Sequence, residues 1–572
     1  MYTAGTAFLE ALIEAGVSYV FANFGSDHPA LIEAISEARA KGWKCPAIVT
    51  CPNEMVALCA AHGYAQRTGE PQAVIVHVDV GTQALAGAVH NVDKNRAPVL
   101  IFAGLSPFTQ DGSLAGSRNE FIHWLQDAAD QSGIVRGFIR YENQIRSGAH
   151  VKQLVFRALQ IARSDPKGPV YLTAAREVME DKAAKVRLDP ARWRPLAPAG
   201  LAEADAAAIA RALAKAKNPL VVTTYLGRNR EAVASLVRLC QRLAIGVLES
   251  VPSHVNFPAS DPHYRGSQWS EPVQNPALAE ADVVLVIDSD VPWIPKMNRP
   301  AAGAAIFHID VDPLKSRVPL WYIEAARSFR ADADTAIRQI ERQLDGIRIS
   351  AAAVRARARR YAAEHRVATA ARREREAIPM RDGSIAPEYL LAAVRDLIDD
   401  RTVVLSEGVT NFSVISRHLE MSRPGSLFTS GGGSLGWSGG AAIGMKLAAP
   451  DETFIAITGD GSYLFSQPST VFWMARRYET PFLQIVLNNR GWAGPRFSTL
   501  QVHPRGHAAK ANRLDIELDP PPDYAAIAVA AGGAHGAIVK QPEELRPALK
   551  EAMRVVRKER RAAVVDVWLA HL

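Results

Sequence analysis

The chain has 572 residues, of which 48% are hydrophobic and 22% charged, with 66 basic and 59 acidic side chains giving a net charge of +7. One hydrophobic core stops growing near ~250–300 residues, so this length demands several domains, and the composition excludes a disordered, collagen-like or coiled-coil chain. The charge excess is small and its arginines gather in one stretch, Arg355 to Arg375, without the aromatic-studded basic face of a nucleic-acid binder.

The first sixteen residues carry Glu10 and Glu14 and no basic leader region, so they do not read as a signal peptide. No uncharged apolar window reaches membrane-spanning length. Four cysteines, Cys45, Cys51, Cys59 and Cys240, show no metal-ligand spacing and no disulfide framework. A cytoplasmic protein without membrane or nucleic-acid partners is expected.

From the N-terminus, apolar runs at 17–24, 45–50, 72–78 and 98–104 predict strands, and 28–42, 54–69 and 82–96 predict the helices between them. Continuous apolar strands joined by helices imply a parallel sheet covered on both faces. An N-terminal domain over 1–185 gives way to a Pro- and Ala-rich linker at 191–206. Runs at 219–225, 244–250, 283–288 and 305–312 repeat the pattern in a central domain over 200–345. Residues 346–380, rich in Ala, Arg and Glu, predict a solvated helix used as a linker. A C-terminal domain over 381–572 carries strands at 401–408, 453–460, 482–489 and 562–569. The fold expected is α/β, three Rossmann-like domains with mostly parallel sheets.

The most informative segment is Gly459-Asp460-Gly461-Ser462, followed later by Asn488-Asn489-Arg490-Gly491. Each piece ends a predicted parallel strand, where α/β sheets bind ligands. Asp460, the Asn489 amide oxygen and the Gly491 carbonyl are hard oxygen donors suited to Mg²⁺. Gly461 and Ser462 open the next helix, whose N-terminus can hold a phosphate. Alone, Gly-Asp-Gly is a common turn. The paired pattern is more specific and resembles the signature of thiamine diphosphate enzymes, although the spacing of Asp460 and Asn489 is slightly wider than usual, with the extra residues expected around Gln467–Pro468.

That resemblance, to the branch of acetolactate synthases, benzoylformate decarboxylases and 2-hydroxyacyl-CoA lyases, extends over nearly the whole chain. It implies that Asp460, Asn489 and Gly491 hold Mg²⁺ against the cofactor diphosphate, with Gly459, Gly461 and Ser462 beside them. Gly431 to Trp437 resembles the segment that touches the cofactor's aminopyrimidine, with Leu435 matching the apolar residue that props the cofactor and Gly433 supplying a carbonyl. Glu407 and Gly408 match a second loop on the diphosphate side. Glu54, followed by Ala57, Ala60-Ala61, Gly63-Tyr64-Ala65, Arg67 and Gly69, resembles the segment whose glutamate activates the cofactor.

Around the reacting carbon, the loop Asn23 to His28 resembles the substrate-side loop, with Ser26 and His28 as candidates for proton relay or carboxylate binding. His77 ends a predicted strand and matches the active-site histidine of benzoylformate decarboxylase-like members. Leu125-Gln126 resembles a pair in which the glutamine bonds a substrate hydroxyl. The basic stretch 490–513, with Trp492, Arg496, Arg505 and Lys510, predicts a mobile wall over the substrate, and Val291 to Lys296 is expected to reach into the substrate channel. The central domain lacks GxGxxG after its first strand, where Tyr-Leu-Gly-Arg-Asn-Arg stands (225–230), so FAD is not expected.

The function implied is a thiamine diphosphate- and Mg²⁺-dependent carbon–carbon lyase or carboligase, with a 2-hydroxyacyl-CoA as candidate substrate. The alternative is a 2-oxo acid decarboxylase or an acetolactate synthase-like enzyme. The partners implied are a small molecule (2-oxo acid, 2-hydroxyacyl-CoA or aldehyde) and further copies of the chain, as a homodimer or homotetramer with shared active sites.

Overall fold

A computed structural model of the protein describes residues 2–321 and 323–571. Three six-stranded sheets, all parallel, follow one another along the chain. The first has the order β2-β1-β3-β4-β6-β5, built from β1 (Tyr19–Ala22), β2 (Ala47–Thr50), β3 (Gln72–Val76), β4 (Val99–Leu105), β5 (Tyr141–Ile145) and β6 (Pro169–Ala175). The second, β12-β11-β10-β7-β8-β9, comprises β7 (Pro219–Thr223), β8 (Gly246–Ser250), β9 (Tyr264–Gln268), β10 (Val283–Ile287), β11 (Ala305–Asp310) and β12 (Arg327–Arg330). A two-residue hairpin, β13 (Met380–Arg381) and β14 (Ser384–Ile385), precedes the third. That sheet runs β16-β15-β17-β18-β20-β19, with β15 (Thr402–Glu407), β16 (Leu427–Thr429), β17 (Thr453–Gly459), β18 (Leu483–Asn488), β19 (His535–Val539) and β20 (Ala563–Trp568). Helices cover both faces, which is why strands such as β3, β10 and β18 are buried at every residue.

The N- and C-terminal domains share one core. The helix Glu54–Thr68 lies against the helix Trp437–Ala448, and Val56, Ala60, Ala441 and Met445 belong to a single buried cluster. Among the described residues no helix is long and apolar enough to cross a membrane.

The strand order of the central sheet reverses between β7 and β10, the position where such sheets admit nucleotides. Here the crevice contains the chain's own charges. Arg96, from the N-terminal domain, lies with its guanidinium 3.9 Å from the Tyr225 ring centroid and donates to Asp290 at 2.8 and 3.0 Å. Lys315 donates to Asp310 at 2.6 Å and lies 2.7 Å from Asp290. Trp293, expected as a channel residue, is instead buried in the central domain with Leu220, Val222 and Val286.

The 346–380 stretch contains the 26-residue helix Ala351–Glu376. Most of it is solvated as expected, yet Arg357 is buried. Its guanidinium donates to the carbonyls of Leu243 (2.5 Å), Ala244 (3.2 Å) and Ala216 (3.2 Å), at the C-termini of two central-domain helices. At its far end Glu376 accepts from both Arg395 guanidinium nitrogens at 2.7 Å and sits 2.9 Å from His418 Nδ1.

Buried histidines set an acid limit on the fold. Burial pushes His62 down to about 4, His254 to about 3 and His308 to about 4. Unfolded histidines take up protons near ~6.5. As pH falls from about 6.5 toward 4, the unfolded chain binds protons that the folded chain does not, so stability decreases through that window. The urea midpoint is expected to be lower at pH 5 than at pH 7. His62→Leu should narrow that gap, and an unchanged gap would show that His62 does not contribute.

Candidate active site

Four neighbouring strands of the first sheet, β2-β1-β3-β4, deliver the N-terminal candidates at their carboxyl ends. After β2, Asn53 caps the helix Glu54–Thr68 by accepting from Val56 N at 3.2 Å, which puts Glu54 in the first turn. A carboxylate is favoured there by the helix dipole. Glu54 is half-buried, and its Oε1 accepts from Asn23 Nδ2, after β1, at 2.9 Å.

The loop after β1 carries Ser26, Asp27 and His28. Ser26 is half-buried. His28 is 1% exposed, with Phe24 and Phe102 beside its ring, and its Nδ1 accepts from Gly25 N at 3.1 Å. It therefore lies beneath the loop instead of at its surface. Asp27, which the sequence reading passed over, is 3% exposed and accepts from Val78 N at 3.0 Å and from His77 Nδ1. The spacing of Asp27 and His77 in sequence gives no hint of this pair. Only the adjacency of β1 and β3 brings the two loops together.

His77 follows β3. Its side chain is 20% exposed, and its Nε2 lies 3.0 Å from Gln126 Oε1. The hydrogen bond to Asp27 raises the imidazole above its ordinary value against partial burial, and the Glu54 charge adds to the effect. Gln126 follows a short helical turn, Ile122–Leu125, in the segment after β4. Beside it Phe121, Trp124 and Leu125 stand exposed.

Four neighbouring strands of the third sheet, β16-β15-β17-β18, deliver the second group in the same way. Glu407, at the end of β15, is buried and accepts from the backbone N–H groups of Gly436 (2.6 Å), Trp437 (2.9 Å) and Ser438 (2.9 Å). Burial raises its carboxyl, and those N–H groups partly offset the rise. Glu407 thus shapes the turn into the helix Trp437–Ala448 from below. Gly436 in that turn has φ +93°, and a Cβ there would stand 2.5 Å from the Phe465 carbonyl carbon. The preceding loop, with Gly433 and Leu435, is braced by Asn91 of the N-terminal domain, which donates to Ser434 O at 2.8 Å and accepts from Ser434 N at 3.0 Å.

Asp460 begins the six-residue helix Asp460–Phe465. Gln467, in a left-handed conformation, separates it from the helix Pro468–Arg477, at the point where the extra residues were expected. Asp460 accepts from Gly461 N at 2.8 Å and Gly491 N at 3.1 Å. The end of the Asn489 side chain stands 3.2 Å from each Asp460 carboxylate oxygen and 2.9 Å from Gly491 O. In one amide orientation its nitrogen donates to all three. In the other, four oxygens face one another, an arrangement that needs a cation among them. Separations near 3 Å match the edges of an octahedron of ~2.1 Å ligands, so the residues present fit Mg²⁺.

These groups line a cavity of about 240 Å³ together with Gly408, Leu435, Gly459, Gly461, Ser462 and Trp492. Every lining residue lies between 408 and 495. Trp492 stands at the head of the helix Ala493–Val502, and its ring packs edge-on against Phe465. The 490–513 wall is thus largely helical, with Arg505 and Lys510 exposed and Arg496 bonded to Asn512 Oδ1 at 3.1 Å.

Three family profiles match the chain in order. They are the thiamine pyrophosphate enzyme N-terminal TPP binding domain (residues 2–134), central domain (206–338) and C-terminal TPP binding domain (408–567). The chain is 26% identical to sulfoacetaldehyde acetyltransferase of Castellaniella defragrans, over 99% of this chain and 93% of that one. It is 26% identical to benzoylformate decarboxylase of Pseudomonas aeruginosa, over 97% of each. Among solved structures, a thiamine diphosphate-dependent 4-hydroxybenzoylformate decarboxylase of Rhodococcus jostii RHA1 superposes with a TM-score of 0.79 at 20% identity, covering 100% of this chain and 99% of that one.

Proposed function

Because the chain belongs to the thiamine pyrophosphate enzyme family and is an enzyme that uses that cofactor, we propose that it cleaves a carbon–carbon bond next to a carbonyl, with decarboxylation of a 2-oxo acid as the reading best supported. The observation that carries this reading is that Glu54, His77 and Gln126 are gathered from the segments that follow β2, β3 and β4, with His77 held between two acceptors. The relatives named decarboxylase, synthase and acetyltransferase support the same class.

Bound thiamine diphosphate supplies a nucleophilic carbon and an electron sink. Asp460, Asn489 and Gly491 O would hold Mg²⁺ for the diphosphate, while Gly459, Gly461, Ser462 and Gly408 line the same cavity. Leu435 and the Gly433 carbonyl support its pyrimidine, and Glu407 fixes the loop that carries them. Glu54 would share a proton between its carboxylate and the pyrimidine ring nitrogen. His77 holds a transferable proton on Nε2. Ser26 and Gln126 orient a substrate oxygen, and His28, buried beneath them, supports the loop.

The cavity at Asp460 includes no N-terminal residue, and Phe121, Trp124 and Leu125 leave an apolar face open beside Gln126. Both features favour a homodimer or homotetramer in which Glu54 of one subunit meets the diphosphate site of another. The self-filled crevice of the central domain favours a protein without flavin. A second reading, cleavage of a 2-hydroxyacyl-CoA, is favoured by Arg505 and Lys510 on the exposed 490–513 wall, which suit a phosphate-bearing substrate.

The test is a mass-resolved assay of purified holoenzyme against 2-oxo acids, 2-hydroxyacyl-CoAs and aldehyde pairs. Release of CO₂ from a 2-oxo acid is expected, with His77→Ala slower by about 10²-fold or more. Acyl-CoA cleavage without CO₂ release would select the second reading. Wild-type turnover by His77→Ala would remove the histidine from the reaction.

A further inference from the structure

His77 presents both ring nitrogens to oxygen acceptors, Asp27 Oδ1 at Nδ1 and Gln126 Oε1 at Nε2. With the Gln126 amide oxygen facing the ring, both contacts are hydrogen bonds only if the ring carries two protons. Asp27 is itself held, since its second oxygen accepts from Val78 N at 3.0 Å. The backbone leaves room for this pair and little else. A Cβ on Gly25 would stand 1.9 Å from His77 Nδ1, and one on Gly104 would stand 1.7 Å from Asp27 Oδ2. Gln126 Nε2 is buried without a hydrogen-bond partner in this arrangement.

We infer that Asp27 is a positioning residue that holds His77 as a doubly protonated imidazolium, with Gln126 as an exchangeable partner whose amide turns over when the Nε2 proton leaves. The inference rests on the reading of His77 as the proton donor. In the transfer, the Nε2–H bond breaks, its proton forms an O–H or C–H bond on the substrate, and the electron pair remains on Nε2. The ring becomes neutral and keeps its Nδ1 proton on Asp27. The bare Nε2 then accepts from the Gln126 amide N–H, which gains the partner it lacks, and a proton from water restores the cation.

Other charged groups around the ring agree with this assignment. His28 stands 3.3 Å from Asp27 Oδ1, but its Nδ1 is taken by Gly25 N–H and burial pushes its imidazole down, so it stays neutral. Glu54 favours the cation on His77 from the helix that follows β2. Asp79, on His77's own loop, accepts from Gln83 Nε2 at 2.8 Å, and His123 Nε2 lies 3.1 Å from Arg176. For Asp27, burial opposes ionisation, and the hydrogen bond from His77 is among the contacts that hold its carboxyl below the ordinary value.

Asp27→Asn is the discriminating change. Val78 N–H holds the amide oxygen, so the new NH₂ faces His77 Nδ1, which must then be bare. In the full-length protein without cofactor, ¹⁵N-histidine spectra, with His77 assigned by its loss in His77→Ala, should show the wild-type ring protonated above ~6.5. The Asp27→Asn ring should be neutral at pH 7 with its proton on Nε2. In the holoenzyme Asp27→Asn should lower kcat by about 10²-fold with little change in KM, and should slow the His77→Ala enzyme no further. A wild-type His77 that is neutral at pH 7 overturns the inference even if the variant does not fold. So does an unchanged titration in Asp27→Asn, or additive losses in the double variant. If His77→Ala keeps wild-type turnover, the donor role fails separately, while the spectra still decide whether Asp27 holds the ring charged.

Discussion

Asp460→Ala is expected to purify without thiamine diphosphate, even when cofactor and Mg²⁺ are present during growth. The carboxylate is 2% exposed and supplies the only formal negative charge in the Asp460–Asn489–Gly491 oxygen set. Without it, an amide and a carbonyl would face the diphosphate with no anionic ligand to retain the divalent ion that must bridge to it. Loss of an outer partner alone commonly costs 10–100-fold in metal affinity, so loss of this ligand should weaken cofactor retention by at least ~10²-fold. The fold should persist, because the alanine would remain in the first turn of the same short helix. The measurement is cofactor per chain after gel filtration, with circular dichroism as the control. Equal occupancy in variant and wild type would exclude the metal site.

Glu54→Gln should give the opposite pattern, with cofactor retained and turnover lost. Glutamine keeps the length of the side chain and can still bond Asn23, but it has no carboxyl proton to share with a ring nitrogen. A general acid–base role is commonly worth about 10²–10⁴-fold in rate, and a loss in that range is expected. Hydrogen–deuterium exchange at C2 of the bound cofactor reads this step without requiring the substrate. An unchanged exchange rate would rule out the activating role. Mixed dimers of Glu54→Gln and Asp460→Ala chains should regain activity if the site is shared between subunits.

The interior of each sheet was legible in the sequence and the edges were not. Eleven of the twelve predicted runs match strands flanked on both sides or fully buried along most of their length, because a parallel strand under two helical layers must be apolar throughout; the twelfth, β2, lies at an edge. The edge strands β5 (YENQI), β9 (YRGSQ) and β12 (RSFR) carry polar and charged residues suited to a half-exposed edge, and β16 has only three residues. β6 was missed although it is buried throughout, because a long irregular segment separates it from β4.

In the site, the positions of Asp460, Asn489 and Glu54 at strand and helix ends were readable because they depend on local pattern. Groups joined across strands were not. Asp27 looks like an ordinary loop aspartate until β1 and β3 are laid side by side, and His28, with the same sequence credentials as His77, turns into the core.

The long helix Ala351–Glu376 has a consequence for how this chain can be taken apart. By composition it is a linker, yet its first half caps two central-domain helices through Arg357 and its last turn is fastened to the C-terminal domain through Glu376, Arg395 and His418. It is a strut with both ends anchored, so it gives no slack between the central and C-terminal domains. A domain-swap chimera with a relative would therefore have to carry this helix with its central domain and rejoin beyond Ala377. A junction before Arg357 would separate three carbonyls from the guanidinium that binds them, and one between Arg357 and Glu376 would divide the strut itself.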